Sequence, residues 1–201
     1  MKLYNNIDEI EVGLDECARG VLFGRIYAAS VMWPNYDINN ELVSQIKDSK
    51  KLSRKKREVL YDFIIQNCID YSISWEDEKE IDKTNILKAD IKCFHNCLDK
   101  LKTKPTKILV DGNYFIEYKD IPYELIIKGD NKFISIAAAS ILAKVAHDRY
   151  INEICKQDPD LKKYDLENNM GYGTKKHIEA IKKYGISKYH RKTFGICKNY
   201  K

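Results

Sequence analysis

Apolar residues recur along this chain at two spacings, one suited to strands and one to helices. From Ile10 to Leu14 they alternate with polar or small residues, predicting a strand over 10–15 that ends on the adjacent acids Asp15 and Glu16. Residues 21–32 are apolar with loose alternation, the pattern of a strand covered on both faces, and Arg19-Gly20 reads as the turn joining the two. Residues 34–40 are rich in Pro and Asn and read as loop. Ser53 is a candidate N-cap for a helix whose apolar stripe holds Leu60, Phe63 and Ile64. Tyr71 to Trp75 alternates as a short strand, Ile81 to Leu101 reads as one helix, and Lys107–Asp111 and Glu124–Ile127 read as two further strands. Ile134 to Cys155 is the longest helical pattern. Gly171-Tyr172-Gly173-Thr174 frames a loop before a helix that Gly185 should end. Interleaved strands and helices after a hairpin-like start predict an α/β fold, a central mixed β-sheet flanked by helices.

The length of 201 residues suits a single domain, and no boundary is visible before about residue 160. No apolar run approaches the roughly 18 residues of a membrane helix. The start, Met1 to Asn6, lacks the apolar core of a signal peptide, so a cytoplasmic location with no membrane partner is expected. Cysteines 17, 68, 93, 97, 155 and 197 show no CxxC pair and read as buried thiols in a reducing compartment. Cys93-x-His95-x-Cys97 has no second ligand pair after it, which argues against zinc. The net charge of +5 is uneven. From Thr174 to Lys201 nine Lys/Arg face one acid, Glu179, so this stretch carries +8 and the remainder −3. Such an end is either a footprint for a polyanion or a solvated lysine-rich helix, and composition leaves both open.

Candidate chemistry gathers at element ends. Asp15 and Glu16 close the first strand, Asp111 closes the run Ile108-Leu109-Val110, and Asp130 follows Lys128-Gly129. Acids so placed suit a hard divalent ion of the Mg²⁺ or Mn²⁺ type, with phosphate esters as the usual substrate. Strand neighbours point to opposite faces, so Asp15 and Glu16 share a site only if the chain leaves regular strand geometry near residue 16. If the two strands are neighbours, Asp15 and Asp111 converge; the competing reading is an ordinary Asp111-Gly112 turn and an exposed strand end. Ser140, Lys144 and His147 fall on one stripe of the Ser135–Tyr150 helix, either facing a phosphate backbone or forming a plain surface. Tyr172 stands between two glycines ahead of a helix N-terminus, where a phosphate could sit and the ring could stack, or where it simply fills a turn. Lys50-Lys51 is likewise a phosphate grip or a polar helix lead-in.

Together these stretches resemble ribonuclease HII, the type 2 ribonuclease H family. Gly13-Leu14-Asp15-Glu16-Cys17-Ala18-Arg19-Gly20 is similar to its G-[IL]-D-E-x-G-R-G motif, and Asp48-Ser49-Lys50-Lys51-Leu52-Ser53 to its D-S-K-x-L-S. Val110-Asp111-Gly112-Asn113 resembles its D-G-N segment, and Lys128-Gly129-Asp130 through Val145 is the nearest match. Gly171-Tyr172-Gly173-Thr174 and His190-Arg191-Lys192-Thr193-Phe194 complete six motifs in order across nearly the whole chain.

The resemblance implies a ribonuclease H-like fold, with residues from about 160 to 201 forming a basic, short helical substrate-binding region. It implies an endonuclease that hydrolyses the RNA strand of RNA/DNA hybrids and incises at ribonucleotides embedded in duplex DNA, acting as a monomer. Asp15, Glu16, Asp111 and Asp130 match the catalytic metal ligands, which would hold two Mg²⁺ or Mn²⁺ ions on the order of 4 Å apart and leave 3′-hydroxyl and 5′-phosphate ends. Ala18, Arg19 and Gly20 fall where the family reads the ribose 2′-hydroxyl, and Tyr172 where it recognises the ribo-to-deoxyribonucleotide junction. Lys50, Lys51, Asn113, Ser140, Lys144 and Arg191 complete the substrate-binding set, with Lys192 a further phosphate contact. The chain departs from the pattern at Ala18, which replaces a glycine and is a steric problem if that position needs positive φ. Val21 and Arg25 stand where prolines are usual, and His147 where arginine is common. The alternatives are a non-catalytic hybrid-binding module, disfavoured because acids near phosphate oppose binding, and another metal nuclease of the same fold, such as a resolvase.

Overall fold

The structure is a computed structural model describing residues 1–34 and 40–200. Residues 35–39 of the loop expected over 34–40 lie outside the described residues. Strands β1 (Glu11–Cys17), β2 (Ile26–Met32), β3 (Asp70–Glu76), β4 (Lys107–Asp111) and β5 (Tyr123–Ile126) form one sheet in the order β3-β2-β1-β4-β5. β1 pairs antiparallel with β2 and parallel with β4, so it runs through the middle. The mixed sheet expected from the sequence is the one observed.

Helices cover both faces. On one side α1 (Arg54–Asn67) and α4 (Ile134–Gln157) bury Leu60, Ile64, Ala138 and Leu142 against Ala29 and Val31 of β2. On the other, α3 (Ile86–Lys100) buries Phe94 and Cys97 against Val12, Leu14 and Val110. All seven residues of β2 are buried, which accounts for an apolar run broken only by Ser30. At Gly13 the helix comes so close that an added Cβ would lie 2.4 Å from the carbonyl carbon of Ser135 and 2.5 Å from the Ile136 nitrogen. The missing side chain at 13 thus sets the distance between β1 and α4.

Two expected elements differ. The strand expected from Val21 begins only at Ile26, and residues 18–25 form a loop, exposed at Arg19 and Gly20 and buried at 18 and 21–24. Ala18 at φ 70° and Gly24 at φ 76° break the extended geometry. Leu22 and Phe23 are apolar because they pack with Ile151, Ile154, Leu161 and Ile181, not because they belong to a sheet. The helix expected over 81–101 is two, α2 (Glu78–Lys83) and α3. Asn85 interrupts them and caps α3 by accepting from the Lys88 N–H at 2.9 Å.

Ser53 caps α1 as expected. After α4 come α5 (Leu166–Asn169) and α6 (Lys175–Tyr184), the latter capped by Thr174 and ended by Gly185 at φ 75°. This region packs onto the 18–25 loop and the end of α4 through Leu161, Tyr164, Leu166 and Cys197. Among the described residues no helix is long and apolar enough to cross a membrane.

Candidate active site

The parallel register Leu14↔Val110 puts the next residues, Asp15 and Asp111, side by side at the C-terminal ends of two central strands. Asp15 is buried and its carboxyl is pushed well above the usual range, first by loss of water and then by the charges of Glu16 and Asp111. Glu16 is raised by burial, with Asp111 adding to the shift and Arg19 opposing it. Asp130 is raised by burial and by the neighbouring charges of Asp48 and Asp111. Carboxylates from β1, from β4 and from the turn before α4 therefore share one field. The charge of Lys50 enters it too: burial pulls its pKa down, but Asp15, Asp48, Asp130 and Glu16 together outweigh this and raise it.

The acids are turned to separate partners. Asp15 accepts from the Glu16 N–H at 2.7 Å, Asp111 from the Gly129 N–H at 2.6 Å, and Asp130 from the Asn131 amide at 2.7 Å. Among the described residues no three His, Cys, Asp or Glu side chains are gathered closely enough to hold an ion as they stand. Like charges repel, and each acid takes the nearest donor instead. The donor set fits a hard divalent cation nonetheless: it is all carboxylate oxygen, partly desolvated, and short of positive charge.

β1 does not leave regular geometry at residue 16, the condition set for strand neighbours to share a site; it continues through Cys17, which pairs with Tyr27. Asp15 accordingly faces α4, where the nearby Ser140 hydroxyl works against burial and lowers its pKa. Glu16 faces Arg19, 3.8 Å away, whose guanidinium also lies 3.6 Å from Asp90 on α3. Glu16 still feels Asp111 because both stand at the open end of the sheet.

A cavity of about 190 Å³ opens beside the acids, lined by Glu16, Ala18, Arg19, Gly20, Lys50, Ser140, Lys144 and Tyr172 among others. Ser140 is buried and bonded to the Ser49 hydroxyl at 2.9 Å. Lys144 pairs with Asp148 at 2.8 Å, its ammonium 5.7 Å from the centre of the Tyr172 ring. The Tyr172 side chain is part-exposed, and burial pushes its phenol up to about 12. Lys51 bonds the Asn131 side chain, and Asn113 is exposed beyond β4. Ala18 has the positive φ that the departure from glycine made a concern, with its methyl buried.

One expected contact is overturned, and one residue of the α4 stripe fits neither of its readings. Arg191 is fully buried and spends its guanidinium on the carbonyls of Ala18, Arg19 and Gly24, so it holds backbone and does not reach a phosphate. His147, on a stripe read as either phosphate-facing or plain surface, is neither: it is fully buried against Tyr27 with Nδ1 3.2 Å from Asp148. The sequence also left Asp90 unremarked. It is 2% exposed, has an oxygen with no partner among the described residues, and sits in mid-helix, where no local pattern marks it. Asp48, seen only as a motif letter, is an additional charge on Asp130.

A mixed sheet of this order with acids on adjacent central strands defines a ribonuclease H-like fold. Residues 12–197 match the family model described as Ribonuclease HII. The chain is 46% identical over 191 residues to the ribonuclease HII of Bacteroides fragilis, covering 95% of this chain and 92% of that protein. It is similar to the crystal structure of the ribonuclease H2 from Pyrococcus horikoshii OT3, with a TM-score of 0.73, 27% identity, and coverage of 94% and 95% of the two chains. A structure of Bst-RNase HIII in complex with Mn²⁺ shares the fold, with a TM-score of 0.62 and 15% identity over 86% of this chain and 69% of that one. The chain belongs to the ribonuclease HII family and is an endoribonuclease.

Proposed function

We propose that this chain hydrolyses the RNA strand of RNA/DNA hybrids and incises duplex DNA at embedded ribonucleotides, using Mg²⁺ or Mn²⁺ held among Asp15, Glu16, Asp111 and Asp130. The observation that carries the proposal is the register that brings Asp15 and Asp111 side by side at the ends of β1 and β4, where burial first and neighbouring acids second raise the carboxyls of Asp15, Glu16 and Asp130. Clustered carboxylates of this kind are a liability that a divalent cation turns into a binding site. The Mn²⁺ in the ribonuclease HIII structure supports the metal class.

Bound divalent ions would supply Lewis acidity and offset the charge that builds on phosphate oxygens during hydrolysis. The residues of the chain do the rest. Asp15 and Asp111, set by the strand register, would fix where the metal sits relative to the scissile phosphate. Lys50 partly balances the acids, so that an anionic backbone is not repelled from the pocket. Lys51 and Lys144 would complete the phosphate contacts, which orient the duplex without reading its sequence. Ala18, Arg19 and Gly20 line the wall where a ribose 2′-hydroxyl would lie, the group that separates RNA from DNA. Tyr172, opposite them, offers a ring to the sugar on the far side of the cut. Asn113 and Ser140 would stand at the margins, and 3′-hydroxyl and 5′-phosphate ends are the expected products.

The lysines of α6, from Lys175 to Lys183, are exposed and would extend the footprint along the duplex as part of a basic region over about 160–201. The six cysteines are free thiols, which supports a reducing, cytoplasmic setting, and a monomer suffices because one chain carries all the named groups. Asp15→Asn tests the proposal. It should fold as the parent does and lose Mg²⁺- or Mn²⁺-dependent nicking of both substrates. Cleavage of hybrid at the parental rate by this variant would remove the acid cluster from catalysis.

A further inference from the structure

His190 and Arg191 are adjacent, fully buried, and have no part in the acid cluster. Each reaches a different wall of the pocket. The His190 Nδ1 accepts from the Ser187 N–H at 2.9 Å, which leaves its proton on Nε2. That Nε2 lies 3.1 Å from the Nε2 of His177, which must therefore accept. His177 in turn carries its proton on Nδ1, 2.9 Å from the carbonyl oxygen of Tyr172. The bond directions are fixed from end to end by the one donor that cannot change, a backbone N–H. Burial holds both rings neutral, and Tyr164 packs edge-on against His190 with ring centres 4.7 Å apart.

Arg191 grips the other wall. Its Nη2 donates to the Ala18 carbonyl at 2.9 Å, its Nη1 to the Arg19 carbonyl at 3.0 Å and its Nε to the Gly24 carbonyl at 2.8 Å. The carbonyl and N–H of a trans peptide point in opposite directions, and none of the peptide bonds described is cis. With the carbonyls of 18 and 19 drawn inward, the N–H groups of Arg19 and Gly20 are turned outward. Neither has a hydrogen-bond partner among the described residues.

We propose that His190 and Arg191 are positioning residues: they set the Tyr172 loop against the 18–20 loop, fixing the width of the pocket and aiming its backbone donors. This rests on reading the pocket as the ribose site. The buried pair acts through the walls and touches no reacting atom. Its loss should therefore weaken substrate binding more than turnover.

Arg191→Lys keeps the charge but cannot fork to three carbonyls. His177→Gln keeps an acceptor for His190 at the height of Nε2 and drops the bond to Tyr172, whereas His177→Asn keeps a donor to Tyr172 at the height of Nδ1 and drops the bond to His190, so each cuts the link at one end. Steady-state cleavage of a duplex with one ribonucleotide, gel shift in EDTA and urea unfolding are the measurements. Arg191→Lys and His177→Gln should raise KM about tenfold, with kcat within about threefold, and weaken the gel shift in parallel. His177→Asn should raise KM to a similar extent. If Arg191→Lys does not fold, the Gln and Asn pair decides. A parental KM for either His177 variant, or losses in kcat that follow the folded fraction with KM unchanged, would overturn the proposal. If the parent protein cuts neither substrate, the proposed activity fails instead, and the EDTA gel shifts still test the walls.

Discussion

An alanine at position 13 is a small change placed where there is no room for it. Its Cβ would stand 2.4 Å and 2.5 Å from backbone atoms of Ser135 and Ile136, where ordinary contact begins at 3.4 Å. The start of α4 must therefore retreat by about 1 Å, since backbone, unlike the end of a flexible side chain, has no rotamer to escape into. Overpacking of a core costs about 1–3 kcal/mol, and a backbone obstacle belongs at the upper end. The stiffer unfolded chain returns about 0.4–1 kcal/mol, leaving a net loss near 2 kcal/mol. At the roughly 2–4 °C per kcal/mol of a chain this size, the melting temperature should fall by about 5 °C. Catalysis should suffer more than stability. Asp15 lies two residues along β1 on the same face as Gly13, and Ser140, whose hydroxyl lowers its pKa, rides on the displaced helix. A misplacement of about 1 Å can cost on the order of a hundredfold in rate. Urea unfolding with an unchanged slope, beside kcat at saturating metal, measures both effects. A Gly13→Ala protein with the parental urea midpoint would refute the claim that this contact sets the strand–helix distance. Lost stability with full kcat would separate that distance from acid placement.

Ala18→Gly should remove a left-handed alanine conformation that costs about 1–2 kcal/mol, against a glycine entropy penalty of about 0.5–1 kcal/mol and a lost buried methyl of about 0.8 kcal/mol. The urea midpoint should thus move by less than about 1 kcal/mol, and a larger loss would mean that the methyl is a needed part of the core. The buried histidines predict a dependence on pH. His190 is held down from 6.5 to about 3 by burial and then by His177, so the unfolded chain binds protons first as the pH falls. Its contribution to stability is complete above pH 6.5 and drains away towards pH 3. Between pH 7 and 5 the advantage of the parent over His190→Gln in urea unfolding should shrink by about 2 kcal/mol; the comparison cancels the acids, which both proteins share. A difference independent of pH would show that the ring is not held neutral.

What the sequence made legible was mostly local. The alternation of β1, the apolar run of β4, the cap at Ser53 and the helix stop at Gly185 each depend on a few neighbouring residues, and each was found. The meeting of Asp15 and Asp111 depended on β1 and β4 being neighbours, which no local pattern states; motif order across the chain supplied it. Three features were hidden for physical reasons. Leu22 and Phe23 are apolar in a loop because residues from beyond 150 cover them, and burial alone does not distinguish a loop from a strand. The positive charge of the C-terminal end counts Arg191 equally with Lys175, although one is wholly interior and the other fully solvated. Asp90 reads as an ordinary mid-helix acid until the fold carries Arg19 to within 3.6 Å of it.

Burial raises the thiols of Cys17 and Cys97 to about 12, those of Cys68, Cys155 and Cys197 to about 11, and that of Cys93 further still. Only the thiolate attacks an electrophile or a peroxide, and at neutral pH almost none is present. The native protein should thus be inert to alkylating dyes and mild oxidants, and each sulfur becomes reactive as the chain around it opens. Five of the six are buried, with Cys68 half-exposed at the end of α1, so labelling of intact protein would begin there and report fraying of that helix before the sheet lets go.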